Sequence, residues 1–226
     1  MRKIYGDNPS LRAFTLAEIL ITLAIIGVVA SLTIPALIKN TTDKQLMVML
    51  RKDFSVISQA IKLLEAEKGT INVSSATGLR DDFETVMSFV KKGAWKDLSA
   101  VSYNFYKSDT KTDHTGWAAA TAVMPDGSVW GFWPSWNPNC TGTENELNGI
   151  CADIRLDVNG AKPPNMYGKD LFWLWMVKTN SRGYVIYPFG SNGDARHYCS
   201  PGKAGGQYSM GCTAEALRVS SPDEMP

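Results

Sequence analysis

From Phe14 to Ile38 almost every position is apolar. About 20 such residues suffice for a helix to cross a bilayer. Beyond Ile38 the pattern changes. Leu46, Leu50, Phe54, Ile57, Ile61 and Leu64 recur every three or four residues, while Lys44, Arg51, Lys52, Lys62 and Glu65 fall on other faces. That is the stripe of an amphipathic helix, and Gly69 is a natural stop for it. The two patterns predict one helix from Phe14 to about Lys68, on the order of 80 Å long. Residues 14–38 would serve a membrane or a packed helical core. Residues 39–69 would lie under a soluble domain spanning 70–226.

The periodicity of that domain is mostly two. Ser74-Ser75 and Gly78 read as a loop, and Asp81 or Asp82 would cap a short helix. In that helix Phe83, Val86, Met87 and Val90 would share a face, and Gly93 would end it. Trp117 to Met124 reads as a strand, Pro125-Asp126-Gly127-Ser128 as a turn, and Val129 to Trp133 as the partner strand. Ala152 to Val158 alternates, with its apolar residues on one face. Leu171 to Val177 is almost wholly apolar, as in a strand covered on both sides. Asn180-Ser181-Arg182-Gly183 turns the chain back into Tyr184 to Phe189. The expectation is an α+β fold, in which four or five antiparallel strands pack one face on the second half of the long helix. Gly190 to Pro226 is rich in Gly, Ser and Pro and reads as irregular, with Ser220 to Pro226 mobile.

The apolar run carries one carboxylate, Glu18, near its start. A charge inside a membrane helix is costly and marks function by default. Arg2, Lys3 and Arg12 precede the run against a single Asp7. The positive-inside rule then places the start in the cytoplasm and everything after Ile38 outside. A secretory signal has its small-residue cleavage site after the apolar run. Here the small residue is Ala13, before it. A cut between Ala13 and Phe14 would remove the basic leader 1–13 and keep the helix.

Phe14-Thr15-Leu16-Ala17-Glu18 after a short basic leader resembles the type IV prepilins, a family that includes the pseudopilins of type II secretion systems. The resemblance covers roughly residues 10–40. Glu18 falls at the fifth mature position and Pro35 at the twenty-second, as in many pilins. The departure is Ala13, where the family usually has Gly. The resemblance implies cleavage and N-methylation by a prepilin peptidase. It also implies assembly with other pilin or pseudopilin subunits through a platform protein and an ATPase. It puts the chain in the bacterial inner membrane as a single-pass protein with a periplasmic C-terminal domain, then in a periplasmic pseudopilus or surface pilus. Its length tilts it toward a minor subunit. In a helical bundle, Glu18 of one subunit would pair with the Phe14 amine of its neighbour, since a paired buried charge sets register. Pro35 lacks an amide proton and Gly27 is a second weak point, so this stretch is expected to kink or partly melt on packing. The plainer alternative is a signal anchor with Glu18 reaching to the interface.

Composition adds bounds. The formal net charge is +1, and basic clusters are limited to pairs such as Lys91-Lys92, so nothing indicates nucleic acid. The four cysteines form two close pairs, Cys140 with Cys151 and Cys199 with Cys212, on the side of the membrane where disulfides persist. Three pairings are possible. Nearest-neighbour pairing is expected, because each pair brackets a Gly-, Asn-, Thr- or Ser-rich loop. Without Cys-x-x-Cys, and with His114 and His197 as the only histidines, a zinc site is not expected.

Asp157, Asn159 and Asp170 lie in the loop densest in oxygen-bearing residues and could supply part of a calcium shell. The competing reading is a turn at Asn159-Gly160, with Asp170 orienting the next strand. Asp153 and Asp157 share a strand face, expected to be solvated. No nucleophile–base–orienter set is legible, so no enzyme is expected. Most of the tryptophans lie between Trp117 and Trp175 and read first as core. Were Trp133, Trp136 and Trp173 exposed, a membrane-anchored module binding glycan or peptide would be the alternative.

Overall fold

The computed structural model describes residues 14–99, 102–105, 111–113, 120–134, 138–144, 147–191, 199 and 211–219. Ala13, His114, Trp117, Trp136, His197 and the tail after Val219 lie outside them. The chain divides after Thr42 into two units, 1–42 and 43–226. Helix α1 (Leu16–Lys68) contributes to both.

In the first unit, Leu16–Pro35 is long and apolar enough to cross a membrane, with mean hydropathy 2.3 and no buried position. Its hydroxyls are turned back onto the helix. Thr22 donates to the Ile19 carbonyl at 2.9 Å, Ser31 to Val28 at 2.8 Å and Thr33 to Val29 at 3.0 Å. A polar group in hydrocarbon must be satisfied from within in this way. The helix runs through Gly27 and Pro35 as one element.

In the second unit the predicted stripe is the inward face of α1. Leu46, Leu50, Ile57, Ile61 and Leu64 are buried, joined by Met47 and Ala60, and Phe54 is half-buried. Gly69 stops the helix at φ +70°, its N–H donating to the Glu65 carbonyl. Helix α2 (Ala76–Val86) starts earlier than expected, because Ser75 caps it by accepting from the Gly78 N–H. Asp82 instead fastens the α1–α2 connection, accepting from Lys68 Nζ and the Asn72 N–H, each at 2.6 Å. Because α2 ends at Val86, Val90 is not on its buried face and is 68% exposed. Gly93 lies in a strand rather than ending the helix.

The strands are β1 (Lys91–Ala94), β2 (Ser102–Phe105), β3 (Lys111–Asp113), β4 (Ala120–Val123), β5 (Val129–Pro134), β6 (Gly142–Glu144), β7 (Leu147–Asp157), β8 (Met166–Tyr167), β9 (Leu171–Thr179) and β10 (Gly183–Pro188). Four-residue helix α3 (Trp95–Leu98) follows β1, and α4 (Cys212–Arg218) closes the described chain. The main path of the sheet is β1-β4-β5-β7-β9-β8-β2-β3, with β10 on β9 and β6 on β7. The expected all-antiparallel meander is therefore corrected to a mixed sheet. The hairpins β4–β5 and β9–β10 match it, but β8 pairs parallel with both β2 and β9.

Register places two aligned rows under α1 and α2. Trp130, Leu156 and Phe172 form one, and Phe132, Ile154 and Leu174 the next. All six join the α1 stripe and α2's Leu79 and Phe83 in one buried cluster. Polar ties fix the helix at its margins. Lys62 Nζ donates to the Arg182 carbonyl at 2.6 Å, Glu65 Oε1 accepts from the Tyr184 N–H at 3.1 Å, and Lys169 pairs with Asp43 at 2.7 Å. At the β9–β10 turn, Gly183 has φ +65°, which favours glycine, and a Cβ there would push aside the Glu65 carboxylate that accepts from the Tyr184 N–H.

Leu50→Ala is expected to destabilise the detergent-solubilised chain by about 2–5 kcal/mol in denaturant titration. Leu63→Ala, on the same helix but 51% exposed, should stay within about 0.5 kcal/mol. Equal effects would contradict this placement of α1.

Candidate functional site

The first candidate is the start of α1. Thr15 is the cap: its Oγ1 accepts from the Glu18 N–H at 3.2 Å, while Glu18 Oε2 accepts from the Thr15 N–H and the Thr15 hydroxyl, each at 2.8 Å. This is a reciprocal capping box. It satisfies N–H groups of the first turn that have no helical carbonyl before them to donate to. The signal was present in the sequence as Thr-x-x-Glu before an apolar run, but Glu18 was read there as an intermolecular group or as a residue reaching to the interface, not as a cap. Phe14, directly before the cap, is exposed. Ala13 lies outside the described residues, and Pro35 sits inside α1 as an exposed residue.

The second candidate is the cysteine framework. Cys140–Cys151 and Cys199–Cys212 are both disulfides, the nearest-neighbour pairing. The second one begins α4, an element that the composition of the C-terminal stretch did not suggest. Thr213 accepts from the Trp173 N–H at 3.0 Å, the Ala214 N–H donates to Phe189 at 3.1 Å, and Arg51 on α1 donates to the Val219 carbonyl. The C-terminal segment is thereby fixed to β9, to the end of β10 and to α1.

The third candidate is the loop between β7 and β9. Both Asp170 oxygens accept backbone N–H groups, from Asn165 at 2.7 Å and Met166 at 2.6 Å. Asn159 donates to the Pro163 carbonyl at 3.1 Å. Asp157 has no exposure, and its Oδ2 takes the hydroxyls of Ser99 and Tyr103. Burial pushes the Asp170 carboxyl up to about 6, against the pull of the Met166 and Asn165 donors. Burial pushes Asp157 up to about 8, against Ser99 and Tyr103, with Asp170's charge adding to the rise. Asp170 thus does what the turn reading asked, folding the loop and setting the start of β9. Among the described residues no three His, Cys, Asp or Glu side chains are placed to hold a metal.

The second face of the sheet corrects the expectation of solvated charge. Opposite the α1 face, the rows are Val129–Asp157–Leu171, Gly131–Arg155–Trp173 and Trp133–Asp153–Trp175. Asp153, Arg155 and Asp157 are all buried. Arg155 pairs with Asp153 at 3.3 Å, and its guanidinium lies 4.2 Å from the Trp173 ring centroid and 4.9 Å from that of Trp133. Gly131 has no side chain opposite Arg155. Burial raises the Asp153 carboxyl, and Arg155 opposes that rise. Trp133 and Trp173 are half-buried around Arg155 rather than presented as an open aromatic surface.

Comparison with known protein families, with curated proteins and with solved structures gives no match to this chain. What the coordinates define is an α+β protein with an apolar N-terminal helix, a mixed sheet and two disulfides.

Because Asp170 is committed to two backbone donors, Asp170→Ala should cost about 2–5 kcal/mol in denaturant titration, the penalty for stranding two partly buried N–H groups. A chelator should leave the wild-type thermal midpoint unchanged. A midpoint that falls on chelation and recovers with calcium would overturn this account of the loop.

Proposed function

We propose that the protein is a structural filament subunit of the type IV pilin or pseudopilin kind, in a minor role. In this reading a prepilin peptidase cuts it after Ala13 and methylates Phe14. It waits in the inner membrane with its sheet domain in the periplasm. A platform protein and an ATPase then draw it into a helical filament, with α1 in the core. The protein is a substrate of processing enzymes and not itself a catalyst.

The observation that carries the reading is the start of α1. Glu18 is the one charged residue in Leu16–Pro35, a stretch otherwise uncharged and exposed on every side. Its carboxylate is turned back to Thr15, one residue from where cleavage would create a new amine. The disulfide-bounded C-terminal segment and the packing of α1's second half on a sheet support a pilin-like architecture.

The first test is to express the chain with and without a prepilin peptidase and read the N-terminus by intact mass. A product beginning at methylated Phe14 is expected, and Ala13→Gly should be cut at least as well. A chain uncut in both forms rejects the assignment. In cells, Glu18→Ala should abolish recovery in sheared or cross-linked filaments and leave membrane fractionation unchanged. Normal incorporation of that variant would remove the role given to Glu18.

A further inference from the structure

Three polar groups buried on the second face of the sheet come from three different elements and have no role in the function above. Ser99 follows α3, Tyr103 lies on β2 and Asp157 ends β7. Ser99 is 7% exposed and the other two not at all. The Ser99 and Tyr103 hydroxyls lie 2.6 Å apart and meet on the same oxygen of Asp157. Around them Trp95, Val129, Tyr167 and Leu171 form a small apolar core with Tyr103.

A carboxylate buried among such neighbours needs a counter-charge. Among the described residues, the groups facing Asp157 do not supply one. Ser99 and Tyr103 are neutral, and Tyr103 is held well above the usual phenol range by burial and by Asp157. Asp170, on the loop beyond β8, is acidic and repels. The Asn159 N–H contributes one neutral donor. Arg155, two residues away on β7, is drawn to Asp153 and the flanking indoles, and Lys169 to Asp43.

Among the described residues, the segment held by Asp157 has a short backbone pairing and a buried aromatic packing, Tyr103 lying against the Trp95 and Tyr167 rings. β2 joins the body of the sheet through two register positions, Asn104 with Met166 and Phe105 with Tyr167, and its other neighbour is the three-residue β3. Its hold therefore rests as well on the buried side chains of Trp95 and Tyr103 and on the two hydroxyls bound to Asp157. We propose that Ser99, Tyr103 and Asp157 form a proton-held latch. Neutral Asp157 keeps α3 and β2 down on the end of β7, and loss of its proton to solvent releases them and uncovers the core around Trp95.

The direction follows from linkage. Asp157 keeps its proton in the closed state up to about pH 8, whereas an exposed aspartate has lost it well below neutrality. Where the closed state binds more protons, its stability falls as pH rises. One such proton makes opening about tenfold easier per pH unit. Asp170 contributes in the same direction mainly below about 6, and burial raises Asp153 as well, so the slope from pH 6 to 8 is assigned to Asp157 by its loss in Asp157→Asn.

The test is hydrogen exchange of the Ser99 and β2 amides in the detergent-solubilised full chain from pH 6 to 8, corrected for intrinsic chemical exchange. The wild type should open about fiftyfold more across that interval, the slope flattening as pH nears 8, and Asp157→Asn should show no such slope. A flat wild-type profile, or a variant that keeps the slope, overturns the latch. Should the variant not fold, carbon-13 titration of the wild-type Asp157 carboxyl decides. A midpoint near 8 supports the latch, and one in the ordinary aspartate range rejects it.

Discussion

The seam between the inward stripe of α1 and the even-numbered positions of β7 and β9 is the constraint on which the globular unit depends. Leu50, Ile57, Ile61 and Leu64 come from a helix with a period of 3.6, and Ile154, Leu156, Phe172 and Leu174 from strands with a period of two. Each large side chain buried there contributes about 1.5–3 kcal/mol, whereas an exposed ion pair at the margin contributes about 0–1. The seam therefore sets the packing, and Lys62, Glu65, Lys169 and Asp43 refine the position of the helix. It also fixes register. A slip of one residue in β7 would turn Ile154 and Leu156 outward and bring Asp153, Arg155 and Asp157 beneath the helix. The cost of burying those charges against Leu50 and Ile57 excludes that alternative.

The opposite face solves a different problem, that of keeping polar groups in a place with little water. Arg155 is matched by Asp153 and by two indole faces, an arrangement that uses the weak hydration of a guanidinium. Asp157 has no such match and keeps its proton instead. Asp53, at zero exposure on the inward side of α1, shows the same conflict: burial raises its carboxyl, with Lys52 the main opposing influence and Trp130 and Ser128 adding to it. Groups of this kind add little net stability, because desolvation offsets attraction. They exclude wrong packings, and they make the protein less stable as pH rises, since each is a carboxyl that folding protects from ionisation.

How much of this was legible in the sequence follows from which signals are local. The helix stripe, the Gly69 stop, the Pro125–Ser128 turn and the cysteine pairing depend on neighbours within a few residues, and the structure agrees with each. The α2 boundary was misread because Asp81 and Asp82 are also good caps. Ser75 stood about two turns further back, with the better position. The charged positions of β7 were misread because alternation tells which residues share a face but not whether that face is covered. The cover of Asp157 comes from Ser99, from Tyr103 on β2 and from the small core of Trp95 and Tyr167, and that of Arg155 from the Trp133 and Trp173 indoles, contacts that are distant in sequence. At the N-terminus the five-residue motif was legible as a pattern, and its capping geometry was legible too, though hidden behind the more unusual question of a carboxylate in an apolar helix.

That geometry bears on how a filament subunit could be stored and released under the function proposed. In an isolated chain Glu18 is already satisfied by the Thr15 N–H and hydroxyl, so the membrane-inserted monomer does not carry a bare carboxylate into the headgroup region. A neighbour's N-terminal amine must compete with those two donors. It carries a full charge, so it adds ion–ion attraction to a carboxylate whose bonds to Thr15 are charge-assisted on the acceptor side alone. The advantage grows as water is excluded, because attraction between charges strengthens in low dielectric. Exchange is therefore weak between monomers diffusing in contact with water and strong once helices are packed side by side. On this argument N-methylation, which keeps the positive charge, leaves the exchange intact, and the same carboxylate serves as a cap before assembly and as a register pin after it.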